Sequence, residues 1–149
     1  MLYTAPMTRV ERGVPLERIF RALADATRLR LLNLIADREI CVCYFVEILR
    51  ISQPKISRHL AYLRRAGIVD TRREGKWMHY RLAVPGDEGA AGILHATLRH
   101  LREKPQMRRD INRLSSTCCS AKKSETLQEA PSPVRLSDRS LDASSNHRR

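Results

Sequence analysis

A mainly helical domain closed by a single β-hairpin is what the sequence predicts, on three observations. Apolar residues recur at i, i+3, i+4, i+7 in one segment after another before about position 115. Two short β-type runs, Ile68 to Arg73 and Lys76 to Leu82, are joined by a tight Glu74-Gly75 turn. Immediately before them, two apolar-striped helical segments are separated by a turn of about three residues.

The elements follow in order. Leu16, Ile19, Phe20 and Leu23 repeat at helical spacing, so a first helix begins near Pro15. Asp25 can cap a second helix, lined by Leu29, Leu32 and Ile35, thickened by Leu31 and Leu34, and ended by Asp37 and Arg38. A short third helix carries Val42, Phe45, Val46 and Leu49. Ser52 looks like the N-cap of a fourth, with Pro54 in its first turn, where a missing N–H costs little. Ile56, Leu60 and Leu63 are its apolar stripe and Gly67 its stop. After the hairpin and Pro85, a helix through about Arg102 buries Ala90, Leu94, Thr97, Leu98 and Leu101. Pro105 can open a last short helix with Met107, Ile111 and Leu114. The expected organisation is an N-terminal arm (1–14), one domain (15–103), a short helix with a cysteine pair (104–119) and a disordered tail (120–149), too poor in apolar residues to offset its ordering entropy.

The 149 residues have room for one modest core, and a formal net charge of +12 draws such a chain to a polyanion, of which nucleic acid is the commonest. The first fifteen residues contain no long apolar run, so neither a signal peptide nor a membrane span is expected and the cytoplasm is the expected compartment. Thiols are kept reduced there, so the cysteines, paired as Cys41/Cys43 and Cys118/Cys119, read as metal-binding, redox or inert rather than as a disulfide framework. No Gly-rich phosphate loop and no motif of paired carboxylates points to an enzyme.

Helix three, the turn and helix four form a helix-turn-helix, and the hairpin behind it is a wing; the fold is a winged helix-turn-helix. At about 100° per residue, Ile56, Leu60 and Leu63 face the core, which turns Pro54, Lys55, Ser57, Arg58 and Ala61 outward. Gln53 and Lys55 lie where base edges come within reach, and the helix N-terminus that Ser52 opens favours phosphate. His59 projects beside the apolar stripe, where it packs or touches phosphate rather than reading a base. Arg72, Arg73 and Lys76 crowd the wing tip, placed to grip phosphates or the minor groove.

Four stretches carry a resemblance: Ile40-Cys41-Val42-Cys43; Ser52-Gln53-Pro54-Lys55-Ile56-Ser57-Arg58-His59-Leu60; Leu63-Arg64-Arg65-Ala66-Gly67; and Gly75-Lys76-Trp77-Met78-His79-Tyr80-Arg81-Leu82. Over about residues 15 to 103 the chain resembles the ArsR/SmtB family of metal-responsive repressors, closest to its arsenic-responsive branch. The resemblance implies a homodimer, joined through the Leu16–Leu23 and Ala90–Leu101 stripes, that holds operator double-stranded DNA and is released by an inducer, arsenite or antimonite. It also implies three cysteines at the first, third and sixth positions of one motif. The first two are Cys41 and Cys43; the sixth is Val46, a departure from the pattern.

Trivalent arsenic and antimony are soft centres that bind thiolates in a three-cornered pyramid. On an ideal helix, residues two apart stand about 200° around the axis, so Cys41 and Cys43 can share one ion only if the start of helix three unwinds or bends. A third thiolate can come from Cys118 or Cys119; the tail pair can bind alone, as a vicinal pair suits a methylated arsenical; or both pairs can bind separately. A thiol-based redox sensor or a methylarsenite sensor on the same fold is the alternative. Zinc-responsive members of the family use a site that aligns here with Asp87, Gly89, His100 and Glu103; a glycine in the second place leaves that set incomplete, and these read as surface residues.

Overall fold

The computed structural model describes residues 15–136. Along them run α1 (Leu16–Leu23), α2 (Ala26–Ile35), β1 (Arg38–Cys41), α3 (Val42–Leu49), α4 (Gln53–Arg65), β2 (Val69–Glu74), β3 (Trp77–Leu82), α5 (Glu88–Leu101), α6 (Pro105–Cys119), α7 (Glu125–Gln128) and β4 (Val134–Arg135). The expected N-terminal arm, 1–14, lies outside the described residues, as do residues 137–149.

Where the local signals are strong, the elements follow them. The Asp25 carboxylate accepts a hydrogen bond from the Arg28 amide at 2.9 Å and starts α2. Leu31, Leu32, Leu34 and Ile35 are all fully buried, since α2 packs against α1, α4, α5 and α6 and has little free face. In α4 the stripe Ile56, Leu60, Leu63 is buried as its spacing requires. Ser52 stands at the N-cap position of α4 without a side-chain cap bond, and Pro54 in the first turn favours the helical start instead. The hairpin loop is Gly75-Lys76, one residue later than expected, because Glu74 still pairs with Trp77. Gly75 takes φ +57°, a value side-chain-bearing residues avoid.

Two segments differ from expectation. Residues 38–41 form a strand rather than the lead into a helix: β1 pairs antiparallel with β3, Ile40 opposite Tyr80 and Cys41 opposite His79. Cys41 therefore ends a strand in extended backbone, and α3 begins at Val42. The second difference is the expected disordered tail, which is contradicted over residues 120–136. There α7 packs on α3, Leu127 and Ala130 are buried, and β4 adds to the free edge of β1 with Arg135 opposite Arg38 and Val134 opposite Glu39. The sheet order is β2-β3-β1-β4. Few apolar residues suffice because β1 offers an unpaired edge on which main-chain hydrogen bonds replace water.

The last long helix, 15 residues, is fastened to the core. Asp110, fully buried, accepts from Arg30 Nε at 2.7 Å and Nη2 at 2.8 Å. Asn33 donates to the Met107 carbonyl at 3.1 Å, and Arg113 donates to the Ile48 carbonyl at the end of α3 at 2.9 Å. No helix among the described residues is long and apolar enough to cross a membrane.

Candidate nucleic-acid interface and thiol pair

The outer face of α4 is built as its periodicity predicts. Gln53, Pro54, Lys55, Arg58 and Ala61 are exposed, and Ser57 is half-buried beside them. A concavity of about 600 Å³ runs along one flank, lined by Arg28, Lys55, Arg58, His59, Ala61, Tyr62 and Arg65. A second, of about 360 Å³, lies on the side of the hairpin, between α4 residues Ser57, Ala61, Arg64 and Arg65 and wing residues Thr71, Met78 and Tyr80. Arg64 and Arg65 are exposed in the last turn of α4 and belong to this cationic surface. Sequence reasoning left them out, although the Arg-Arg step just before Gly67 was a visible signal. Arg28 is not free to join: its Nε donates to the Ala22 carbonyl and its Nη2 to the Arg21 carbonyl, and its guanidinium lies 4.2 Å from the Tyr62 ring centre.

His59 is half-buried with Nδ1 3.8 Å from Asp25 Oδ1, so it packs against the start of α2. Burial works to raise the Asp25 carboxyl, but the Arg28 amide, the Arg28 guanidinium and His59 together bring it below its ordinary value.

The three wing cations differ in freedom. Arg72 is held against β1: its Nη2 is 2.6 Å and its Nε 3.0 Å from Glu39 Oε1, and Nη2 is also 3.2 Å from Glu74 Oε2. The hydrogen bond to Glu39 raises the Arg72 guanidinium further above its ordinary value. This bracing ties the wing to β1. Arg73 is exposed, with Nε 3.1 Å from the Gly75 carbonyl. Lys76, at the loop, sits 4.9 Å from the Trp77 ring centre and 2.9 Å from Glu129 Oε2 of the C-terminal segment. His79 is buried on β3, with Nε2 3.1 Å from Glu74 Oε2.

The thiol pair is more compact than a helical register allows. Because Cys41 belongs to β1 and Cys43 to the first turn of α3, the bend between strand and helix brings the two Sγ atoms to 3.8 Å. Two sulfurs bound to one tetrahedral zinc ion at about 2.3 Å stand about 3.8 Å apart, so this separation already suits a shared soft centre. The unwinding expected of helix three is not needed. Cys41 is fully buried in the core and Cys43 half-buried. Burial, then the charge and hydrogen bond of Cys41, push the Cys43 thiol up to about 11, against an opposing pull from Lys76.

Cys118 and Cys119 end α6, the first half-buried and the second exposed. Burial raises the Cys118 thiol, while Lys123 draws it back. Among the described residues no three His, Cys, Asp or Glu side chains are grouped to hold a metal ion, so one chain does not bring a tail cysteine to Cys41 and Cys43. The zinc-type positions do not assemble either. Asp87 is spent as the N-cap of α5, accepting from the Ala90 amide at 2.8 Å, and His100 and Glu103 are exposed.

Comparison with known proteins agrees with this architecture. Residues 25–71 match the model of the bacterial regulatory proteins of the arsR family. The arsenical resistance operon repressor of Escherichia coli is 46% identical over 89 residues, which are 59% of this chain and 76% of that protein. The arsenic resistance transcriptional regulator ArsR1 of Pseudomonas putida is 57% identical over 65 residues, 43% of this chain; the match spans about half, 51%, of that relative. Among solved structures, HlyU from Vibrio cholerae superposes with a TM-score of 0.50 at 31% identity, covering 56% of this chain and 88% of that one. A homodimeric winged helix-turn-helix DNA-binding domain from Mycobacterium bovis gives 0.50 at 30% identity, covering 59% and 79%. The chain belongs to the arsR family of bacterial regulatory proteins, and its fold is the winged helix-turn-helix of a DNA-binding regulator, not of an enzyme.

Proposed function

We propose that this protein is a transcriptional repressor that holds operator DNA as a homodimer and lets it go when trivalent arsenic or antimony binds the Cys41 and Cys43 thiols. The observation that carries the reading is the position of the pair: two sulfurs 3.8 Å apart at the joint between β1 and the first helix of the helix-turn-helix. Binding there pulls on Val42 and the start of α3, and α3 packs directly on the reading helix α4. Two reading helices of a dimer must meet half-sites one helical turn apart, so a small change in tilt costs affinity. Support for the dimer comes from α1, whose Leu16 and Phe20 are 47% and 52% exposed while Ile19 between them is buried. Gln53 and Lys55 are assigned to base edges, Ser52, Ser57 and Arg58 to the same groove, and Arg73 and Lys76 to phosphates.

Arsenite suits these thiols because its chemistry balances without free thiolate. As(OH)3 and two thiols give a dithiolate with one hydroxyl left on arsenic and two waters, each thiol proton leaving with a hydroxide. A Cys43 thiol pushed up by burial, beside a fully buried Cys41, is poorly matched to the redox alternative, since sensor cysteines are low-pKa and accessible. The two-sulfur site equally favours methylarsenite, whose methyl group would take the place of the remaining hydroxyl. Cys118 and Cys119 form a separate pair whose contribution is tested alongside.

The test is fluorescence anisotropy on the protein's own promoter DNA, with and without arsenite, for the wild type, Cys41→Ser/Cys43→Ser and Cys118→Ser/Cys119→Ser. The expected result is release of the wild type and of the tail variant, and none of the first double variant. Loss of response in both variants would mean a shared site. No release of the wild type by arsenite would overturn the inducer assignment while leaving DNA binding standing.

A further inference from the structure

The C-terminal segment after α6 is tied to residues on either side of the thiol pair in sequence and to the wing loop. Lys123 Nζ is 3.3 Å from the Tyr44 hydroxyl, and Ser124 Oγ is 3.3 Å from Glu47 Oε2, so the segment starts along the outer face of α3. Leu127, on α7, is fully buried in the same core cluster as Cys41, Val42 and Tyr44. Glu129 reaches the wing loop at Lys76, whose charge in turn acts on Cys43. Val134 and Arg135 then pair with Glu39 and Arg38, the residues just before the cysteines on β1. Helix, wing loop and strand are thus joined by one strap, and Cys41 and Cys43 lie at the joint between the strand and the helix.

We infer that this strap, with Leu127 as its buried anchor, is the specificity filter of the thiol site: it admits a metalloid whose third substituent is a hydroxyl or a methyl group and excludes one carrying an aryl ring. The inference rests on the thiol pair's being the inducer site. With Cys41 and Cys43 supplying two bonds to a trivalent centre, its third substituent must find room beside the strand-helix joint. Cys41 is 0% exposed, so a ligand that reaches its sulfur enters a packed region rather than an open cleft. A hydroxyl or methyl group adds one heavy atom there. A phenyl ring needs the volume of a large core side chain, and Leu127 is the fully buried side chain that the strap contributes to the core cluster holding Cys41. Well-packed interiors resist added groups of that size, so the ring is accommodated only if the strap is displaced.

The experiment compares arsenite with phenylarsenite by isothermal titration calorimetry on the full-length chain carrying Cys118→Ser/Cys119→Ser, which removes the second thiol pair from the signal. Leu127→Ala is then added to open space under the strap. The expected result is a gain in phenylarsenite affinity of about tenfold or more, the scale on which apolar pockets discriminate by size, with arsenite changed by less than about threefold. Equal changes for both ligands, or none for either, would overturn the filter. Should Leu127→Ala fail to fold by circular dichroism, Lys123→Ala/Ser124→Ala loosens the strap at its surface ties, and the ratio of the two affinities must move in the same direction. A parent chain that binds neither compound would overturn the thiol-site reading and the filter with it; one that binds arsenite with a ratio insensitive to the strap overturns the filter alone.

Discussion

Changing the pH from about 6 to 8 separates a metalloid from a divalent metal at the same two sulfurs. The Cys43 thiol is held up at about 11, chiefly by burial and then by Cys41. At pH 7 only about one Cys43 in ten thousand is then a thiolate. A divalent cation must drive that proton into solution, so its log affinity rises by about one unit per pH unit on account of Cys43 alone. Over the two pH units this is a gain of about a hundredfold. Arsenite carries its own bases: each thiol proton leaves as water with a hydroxide from As(OH)3, and the expected slope is zero. The assay is isothermal titration of arsenite and of zinc into the Cys118→Ser/Cys119→Ser chain in matched buffers at pH 6, 7 and 8. Arsenite affinity that climbs with pH as steeply as zinc affinity, or zinc affinity that stays flat, would refute the reasoning.

Further outcomes follow from the packing and the reading surface. Asp110→Ala leaves Arg30 without its bidentate partner at the α2–α6 contact and should cost about 3 kcal/mol in urea unfolding, toward the low end for a broken buried pair because Arg30 keeps some exposure. Asp25→Ala removes the α2 cap and should cost about 1 kcal/mol at neutral pH. Since the folded-state Asp25 carboxyl lies below its ordinary value, that contribution is present above the ordinary carboxylate range and is lost as pH falls through the folded value. The difference in melting temperature between wild type and variant should therefore shrink in acid. Gln53→Ala or Lys55→Ala should relax sequence preference in operator-variant titrations, by about 1–3 kcal/mol per base read. Arg73→Ala or Lys76→Ala should instead weaken binding to all sequences and lower the salt slope by about one. Identical behaviour of the two sets would remove the division between reading helix and gripping wing.

What could be read from the sequence was whatever is decided within a few residues. The Asp25 cap, the Ile56-Leu60-Leu63 stripe and the turn at Gly75 are local, and helices α2 and α4 stand where those signals put them, with the hairpin loop displaced by one residue. The strand β1 was not legible, because Arg38–Cys41 becomes a strand only by pairing with β3, some forty residues on. That single long-range pairing also decides the chemistry. It takes Cys41 off the helix and sets its sulfur beside that of Cys43, where helical geometry alone would hold them apart. The wing was legible as basic, but the partners of its cations were not: Glu39 lies 33 residues before Arg72, and Glu129 lies 53 residues after Lys76. The strap escaped for a compositional reason. Its polar sequence argues for disorder, yet Leu127, Ala130 and the open edge of β1 give it enough to hold.

The central claim is that thiol ligation and DNA binding are coupled through α3, and coupling is reciprocal. The most direct measurement is the arsenite dissociation constant of the free protein and of the protein saturated with operator DNA. The two should differ by the same factor by which arsenite weakens DNA binding, within the range of about 5 to 150 typical of such couplings. Equal arsenite affinity in the free and DNA-bound states would contradict the claim, whatever else the cysteines bind.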